Sequence, residues 1–226
     1  MKSTLAVVLF SILIMFGGDI FAQRFKGEVI GGTNISHITG DRMRGFPIWG
    51  AYKTSLNFGL GVIAPLTDKL DISIETLYSD KGAVDLDGAT RRISLTYLEA
   101  PLLVLYELDP GVFGGIGLSY GQLFSSEETD GQFTFADQKY VDKGVFKEAD
   151  LNMLLDTRFP IYKNLKFNFR YSFSLLPIRK SVYEKPNTSN GLLEENLYNH
   201  VMSFRVIWVF NEKPGKKKIE KIEDYQ

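Results

Sequence analysis

The stretch "LKFNFRYSFSL", Leu165 to Leu175, alternates without a break. Leu165, Phe167, Phe169, Tyr171, Phe173 and Leu175 are apolar or aromatic, whereas Lys166, Asn168, Arg170, Ser172 and Ser174 are polar. A period of two places successive side chains on opposite faces of a β-strand, so one face carries an aromatic stripe and the other carries charge. In a two-sheet sandwich the stripe would be core. In an outer-membrane barrel it would face lipid, with the charges turned into the lumen. One strand is compatible with both, and the rest of the chain decides.

Working outward, the same pattern predicts seven further strands. The first, Arg24 to His37, sets Phe25, Val29, Thr33 and Ile35 against Lys26, Glu28, Asn34 and Ser36. The second, Ile48 to Ala64, sets Tyr52, Leu56, Phe58 and Leu60 against Lys53, Ser55 and Asn57. The third, Lys69 to Ser79, sets Leu70, Ile72, Ile74 and Tyr78 against Asp71, Ser73 and Glu75. The fourth, Ser94 to Leu108, opposes Leu98, Ala100, Leu102, Val104 and Tyr106 to Glu99 and Pro101. The fifth, Gly111 to Ser125, has Val112, Ile116, Leu118, Tyr120 and Phe124 on one side and mostly glycine and serine on the other, a face small enough for a crowded lumen. The sixth, Ala149 to Phe159, opposes Leu151, Met153, Leu155 and Phe159 to Asn152, Asp156 and Arg158. The opening stretch is the seventh, and the eighth, Tyr198 to Phe210, opposes Met202, Phe204, Val206, Trp208 and Phe210 to Ser203 and Arg205.

The connections alternate in length. "PLTDK", "ELDPG" and "PIYKN" are tight, while the segments around 38–47, 80–93, 126–148 and 177–197 are long and polar. Short turns at one end, long loops at the other and an even strand count are the arrangement of outer-membrane barrels, and both termini then lie on the short-turn, periplasmic side. Charge points the same way: Lys166 and Arg170 against hydrocarbon would cost about 2–4 kcal/mol each near the midplane. Tyr52, Tyr78, Tyr106, Tyr171 and Trp208 are available for interfacial girdles. The expected fold is all-β, an eight-stranded antiparallel up-and-down transmembrane β-barrel in contact with outer-membrane lipid.

Composition narrows the function classes. The 226 residues carry a formal charge of −1, which gives no footprint for nucleic acid. There are no cysteines, which removes disulfides, thiolate metal sites and a lipidation site. The N-terminus, "MKSTLAVVLFSILIMFGGDIFAQ", has one Lys, an apolar run from Leu5 to Phe16, and Ala22 before Gln23. It reads as a signal peptide over residues 1–22, leaving a barrel over 23–210 and a periplasmic tail over 211–226.

Four segments carry a family resemblance: "GEVIGGTNISHITGD" from Gly27, "LYSDKGA" from Leu77, "YLEAPLLVLYEL" from Tyr97, and the glycine-rich "GVFGGIGLSYG" from Gly111. With these the chain resembles the Bacteroidota-type outer-membrane β-barrel proteins described as porin-like or PorT-like. The resemblance implies a single eight-stranded barrel in the outer membrane and says little about activity, some such proteins looking like accessory parts of secretion machinery. By the same resemblance, Phe210, an aromatic of lipid-facing parity ending the last strand, is the signal read by the barrel-assembly machinery. The tail "NEKPGKKKIEKIEDYQ" departs from the family pattern by continuing past Phe210.

A search for enzyme chemistry finds little. His200 and Ser203 fall on opposite faces of one strand, and His200 reads as an interfacial residue rather than a ligand. His37 lies beside Ser36 and near Asp41, a triad-like composition that is also ordinary in loops. No metal spacing, phosphate loop or paired-carboxylate motif is present, so no cofactor and no enzymatic activity are expected. What stands out is the inward set: Lys26, Lys53, Arg158, Lys166, Arg170 and Arg205 against Glu28, Asp71, Glu75, Glu99 and Asp156. Eight strands enclose an interior wide enough only for side chains, so a salt-bridged plug is expected, with a small-solute channel as the alternative. The expected role is a structural or accessory component of an outer-membrane assembly, meeting an outer-membrane or periplasmic protein through the loops or the tail.

Overall fold

The computed structural model of the protein describes residues 25–40, 52–84, 91–130, 133–136, 146–184 and 192–211. The expected signal peptide and nearly all of the expected tail lie outside the described residues. Among the described residues ten strands are formed: β1 (Lys26–Thr39), β2 (Lys53–Pro65), β3 (Leu70–Val84), β4 (Arg91–Asp109), β5 (Val112–Asp130), β6 (Phe133–Ala136), β7 (Ala149–Tyr162), β8 (Leu165–Ser174), β9 (Arg179–Glu184) and β10 (Leu192–Phe210). The order around the sheet is β1-β2-β3-β4-β5-β7-β8-β10, and β10 pairs back with β1. All pairings are antiparallel, so the eight long strands close a barrel and leave no open edge along its wall. The two short strands are additions: β6 pairs the far end of β5, and β9 pairs Leu192–Leu197 of β10.

Three connections at one end are tight for local reasons. Thr67 Oγ1 accepts from the backbone of Lys69 and Leu70 between β2 and β3. Gly111, at φ +83°, turns the chain between β4 and β5, and its amide donates to Glu107 at 2.8 Å. Between β7 and β8 the left-handed position is filled by Lys163, at φ +44°. The opposite end carries the long connections.

Strand limits differ from expectation at that second end. The segments expected as loops around 80–93, 126–148 and 177–197 contain the ends of β3, β4, β5 and β10 together with β6 and β9. Spanning takes about 9–11 residues, and β4, β5 and β10 run to 19 each. Beyond the hydrocarbon band a neighbouring strand still satisfies backbone N–H and C=O groups, and β4 alternates there in the reverse sense, with Ile93 and Leu95 inside and Arg92 and Ser94 outside. The expected beginnings of the first and second strands, at Arg24 and 48–51, fall outside the described residues.

The two faces sort as the period of two requires. Leu56, Leu60, Ile74, Leu102, Leu118 and Trp208 are exposed on the outer wall. Phe58 stacks on Tyr78 at 4.8 Å between ring centroids, and Phe169 packs on Phe204 at 5.3 Å. Tyr52 and Tyr171 stand towards the long-loop end, and Tyr106 and Trp208 near the short turns. Tyr78, expected in a girdle, faces Phe58 and Leu98 midway between the ends. Inside, charge is only part of the filling. Ile30, Leu77, Ile207 and Val209 form one buried apolar cluster, and Leu103, Leu105, Phe113 and Leu154 a second. A third, including Ile38, Ile93, Leu95, Leu123, Phe146, Ile178 and Leu197, fills the barrel at its long-loop end. Backbone bonds pin that lid to the wall: Lys147 donates to Ile178 at 2.7 Å, and Ile178 to Leu197 at 2.8 Å.

Candidate functional site: the lumen

The inward charges do not form a single sheet of alternating signs but gather at three levels. Nearest the short turns, Lys26 faces Asp71 at 3.6 Å, and the Lys166 ammonium sits 4.8 Å from the centre of the Phe113 ring. These residues help line a cavity of about 770 Å³ at the barrel mouth, with Glu107, Pro160 and Lys163 on its rim.

The second level is the densest. Arg158 on β7 donates from Nη1 to Glu28 at 2.5 Å, from Nη2 to Glu75 at 2.9 Å and from Nε to Asp156 at 3.0 Å. Arg170 on β8 donates from both Nη atoms to Glu75 at 2.8 Å and from Nε to Asp156 at 2.7 Å. Arg205 on β10 reaches Glu75 and Asp156 at 3.3 Å and gives its Nε to Asn168 at 2.7 Å. Three guanidiniums meet three carboxylates, and none of the six residues is more than 3% exposed. Enclosing such ions costs several kcal/mol each, a cost offset only when attraction and hydrogen bonds are nearly complete. Here they are: Glu28 also accepts from Ser73 at 3.2 Å, and Asp156 from Asn168 at 2.9 Å. The planar guanidinium forks let each arginine bond two strands or more.

The third level lies beneath the apolar lid. Lys81 pairs with Glu99 and stands 3.6 Å from Asp150. Asp150 also accepts from Asn199 at 3.0 Å and from Ser174 at 2.7 Å. Lys53 pairs with Asp80 at 2.7 Å and donates to the Lys81 carbonyl at 3.2 Å, but Asp80 has the outward parity of Tyr78, so this pair belongs to the wall rather than to the lumen. Lys81, Asp150 and Asn199 are not in the inward set that the sequence predicts. Lys81 falls in a segment that the sequence reads as loop. Asp150 has the inward parity of Asn152, a signal that could have found it.

The triad-like composition around His37 does not assemble. Ser36 points inward, donating to the Gly82 carbonyl at 3.0 Å and accepting from the Gly82 amide at 2.9 Å, whereas His37 faces outward; Asp41 lies outside the described residues. Ser203 is likewise inside, donating to Asn34 at 2.7 Å, while His200 is on the outer wall. Among the described residues no group of three or more His, Cys, Asp or Glu is placed to hold a metal ion.

A closed antiparallel barrel with an apolar outer wall and a charge-filled interior defines a membrane-spanning β-barrel. A family model for the outer membrane protein β-barrel domain matches residues 21–179, and the chain belongs to that family. Solved structures similar to it include Ail of Yersinia pestis, in complex with the heparin analogue sucrose octasulfate, at TM-score 0.45 and 10% identity over 83% of this chain and 99% of that one. Neisserial surface protein A aligns at TM-score 0.43 and 10% identity, over 81% of this chain and 96% of that one. Outer membrane protein W of E. coli aligns at TM-score 0.37 and 13% identity, over 82% and 97%. A comparison with curated proteins gave no match.

Proposed function

We propose that this outer-membrane barrel is a non-enzymatic, non-conducting component, a structural or accessory binding part of an outer-membrane assembly. The observation that carries the reading is the second level of the lumen. Bonds from Arg158, Arg170 and Arg205 tie β7, β8 and β10 to Glu75 on β3, so the passage is crossed by paired side chains rather than lined by them. The apolar lid around Phe146 and Ile178 closes the same lumen a second time. An interior of eight strands has little room left for continuous water beside such groups.

In this reading the termini and the mouth cavity face the periplasm, and the long-loop end, with β6 and β9, faces outward. The finer kinship with PorT-like barrels of Bacteroidota rests on the segments quoted above, and Phe210 acts as the assembly signal. A protein partner would meet the loops or the tail. Planar-bilayer recording of the purified barrel tests the plug: no resolvable unitary conductance is expected. Steady, ion-selective current would overturn it in favour of a small-solute channel.

A further inference from the structure

The sequence contains two histidines, His37 and His200, separated by 163 positions. The fold brings them directly opposite one another: in the β1–β10 pairing that closes the barrel, His37 is the register partner of His200. Both project from the outer wall, and their rings stack with centroids 5.0 Å apart at an interplanar angle of 17°. Two tyrosines flank them. The Tyr171 hydroxyl is 2.7 Å from His200 Nδ1, and the Tyr52 ring meets the His37 ring edge-on at 5.2 Å. Among the described residues neither nitrogen of His37, nor Nε2 of His200, has a hydrogen-bond partner.

Their height on the wall matters as much as their spacing. His200 stands ten residues along β10 from Phe210, which for a tilted barrel strand is about 25 Å, the height of the apolar band itself. The pair therefore sits where hydrocarbon gives way to head groups, with water at hand to complete a coordination shell. A stacked imidazole pair can serve as girdle packing alone, but the neighbouring wall positions use Tyr, Phe and Met, so the two imidazoles are the metal-ligating side chains of this stretch of wall.

We propose that His37 and His200 form an open site for a borderline divalent transition-metal ion, Zn²⁺ being the type, across the closing seam of the barrel. Neutral imidazole nitrogens are preferred ligands for such ions, at about 2.0–2.1 Å. In the stacked arrangement the nitrogen lone pairs lie in nearly parallel planes, so binding would require the two half-exposed rings to turn about their side-chain torsions until one nitrogen of each faced a shared point. Two imidazoles leave the remaining positions to water, with the Tyr171 phenol next to the His200 ring and able to orient it as an outer hydrogen-bond partner. Such a site differs from the closed sites of three or four protein ligands, and micromolar rather than tighter binding is expected. Because it joins the first and last barrel strands, an ion bound there would staple the seam that assembly forms last in chain order.

The test uses untagged, refolded full-length barrel in detergent, with Zn²⁺ as the only added ligand. Selective labelling of histidine gives two sets of imidazole NMR signals, one per residue. Both should shift together and saturate at one ion per barrel. His37→Ala and His200→Ala, each checked for heat-modifiable migration as a sign of folding, should weaken binding at least tenfold. If either imidazole is unmoved at millimolar Zn²⁺ in the parent protein, or the double variant binds as tightly as the parent, the site does not exist. Failure of a variant to fold leaves the NMR measurement on the parent protein as the deciding one.

Discussion

Arg170 and Glu75 meet across the full width of the barrel. β3 is third and β8 seventh in the closed order of eight strands, and from these opposite walls the guanidinium gives both Nη atoms to the carboxylate at 2.8 Å. The bidentate pair is a cross-brace on which the rest of the network hangs, because Glu75 also receives Arg158 and Arg205. Such a brace fixes wall-to-wall distance as well as charge balance.

Removing the arginine leaves Glu75 and Asp156 short of a cation in an enclosed space. Arg170→Ala should therefore destabilise the barrel by about 3–5 kcal/mol, as breaking buried ion pairs from one side does. Ser172→Ala, two residues along on the same inward face, should cost about 1 kcal/mol or less. Urea unfolding in lipid vesicles compares the two, and equal stability of the Arg170→Ala variant and its parent would show that the brace carries no load.

The carboxylates should rank by how many guanidiniums they hold. Glu75 answers three arginines, while Asp71 at the mouth pairs with Lys26 at 3.6 Å, the Lys26 side chain being 20% exposed. Glu75→Gln is expected to cost about 3 kcal/mol or more, and Asp71→Asn no more than about 1 kcal/mol, the worth of a long pair whose lysine reaches solvent. The reverse ranking in the same unfolding assay would mean that the mouth, not the network, holds the lumen together.

The face of each strand was legible in the sequence; the level and the partner of each charge were not. Period-two reading assigns Glu28, Glu75, Arg158, Arg170 and Arg205 to the inside because parity needs only local information. Which of them meet depends on stagger around the barrel, a property of all eight pairings together. Arg158 thus reaches Glu28, 130 positions away, by a geometry that no single strand encodes. The apolar inward residues, among them Leu77, Leu105 and Ile207, were hidden for a different reason: a half-polar strand sets the parity, and its occasional inward leucine then reads as a break in the pattern. The His37–His200 pairing was equally invisible, since it needs the closing register of β1 against β10.

Glycines on the two faces should respond in opposite ways. A Cβ at inward Gly59 would strike the Thr76 carbonyl and come within 2.9 Å of the Leu77 Cα, while one at outward Gly31 would meet nothing within 4 Å. Gly59→Val is expected to block or severely slow refolding. Gly31→Val should fold normally and be as stable as the parent or slightly more so, because a β-branched side chain there adds apolar surface against lipid. Heat-modifiable gel migration reads both, and normal folding of Gly59→Val would show that the β2–β3 seam is looser than the close approach implies.

The last strand closes the barrel on both sides, pairing β1 along Tyr198–Phe210 and β8 along His200–Trp208. Deleting the chain from Tyr198 onward should abolish insertion, since two neighbours lose their ladder partners at once and β1 and β8 are left as open edges in lipid, where unsatisfied backbone groups cost several kcal/mol each. Cutting after Asn211 should not. Asn211 is worth keeping because its side-chain amide donates to the Phe25 carbonyl at 3.0 Å and so ties the end of β10 to the start of β1. A protein ending at Asn211 is therefore expected to refold to a heat-modifiable barrel with the parent's midpoint in urea. If it does not, residues 212–226 contribute to the barrel itself, and their expected role as a tail available to a periplasmic partner falls.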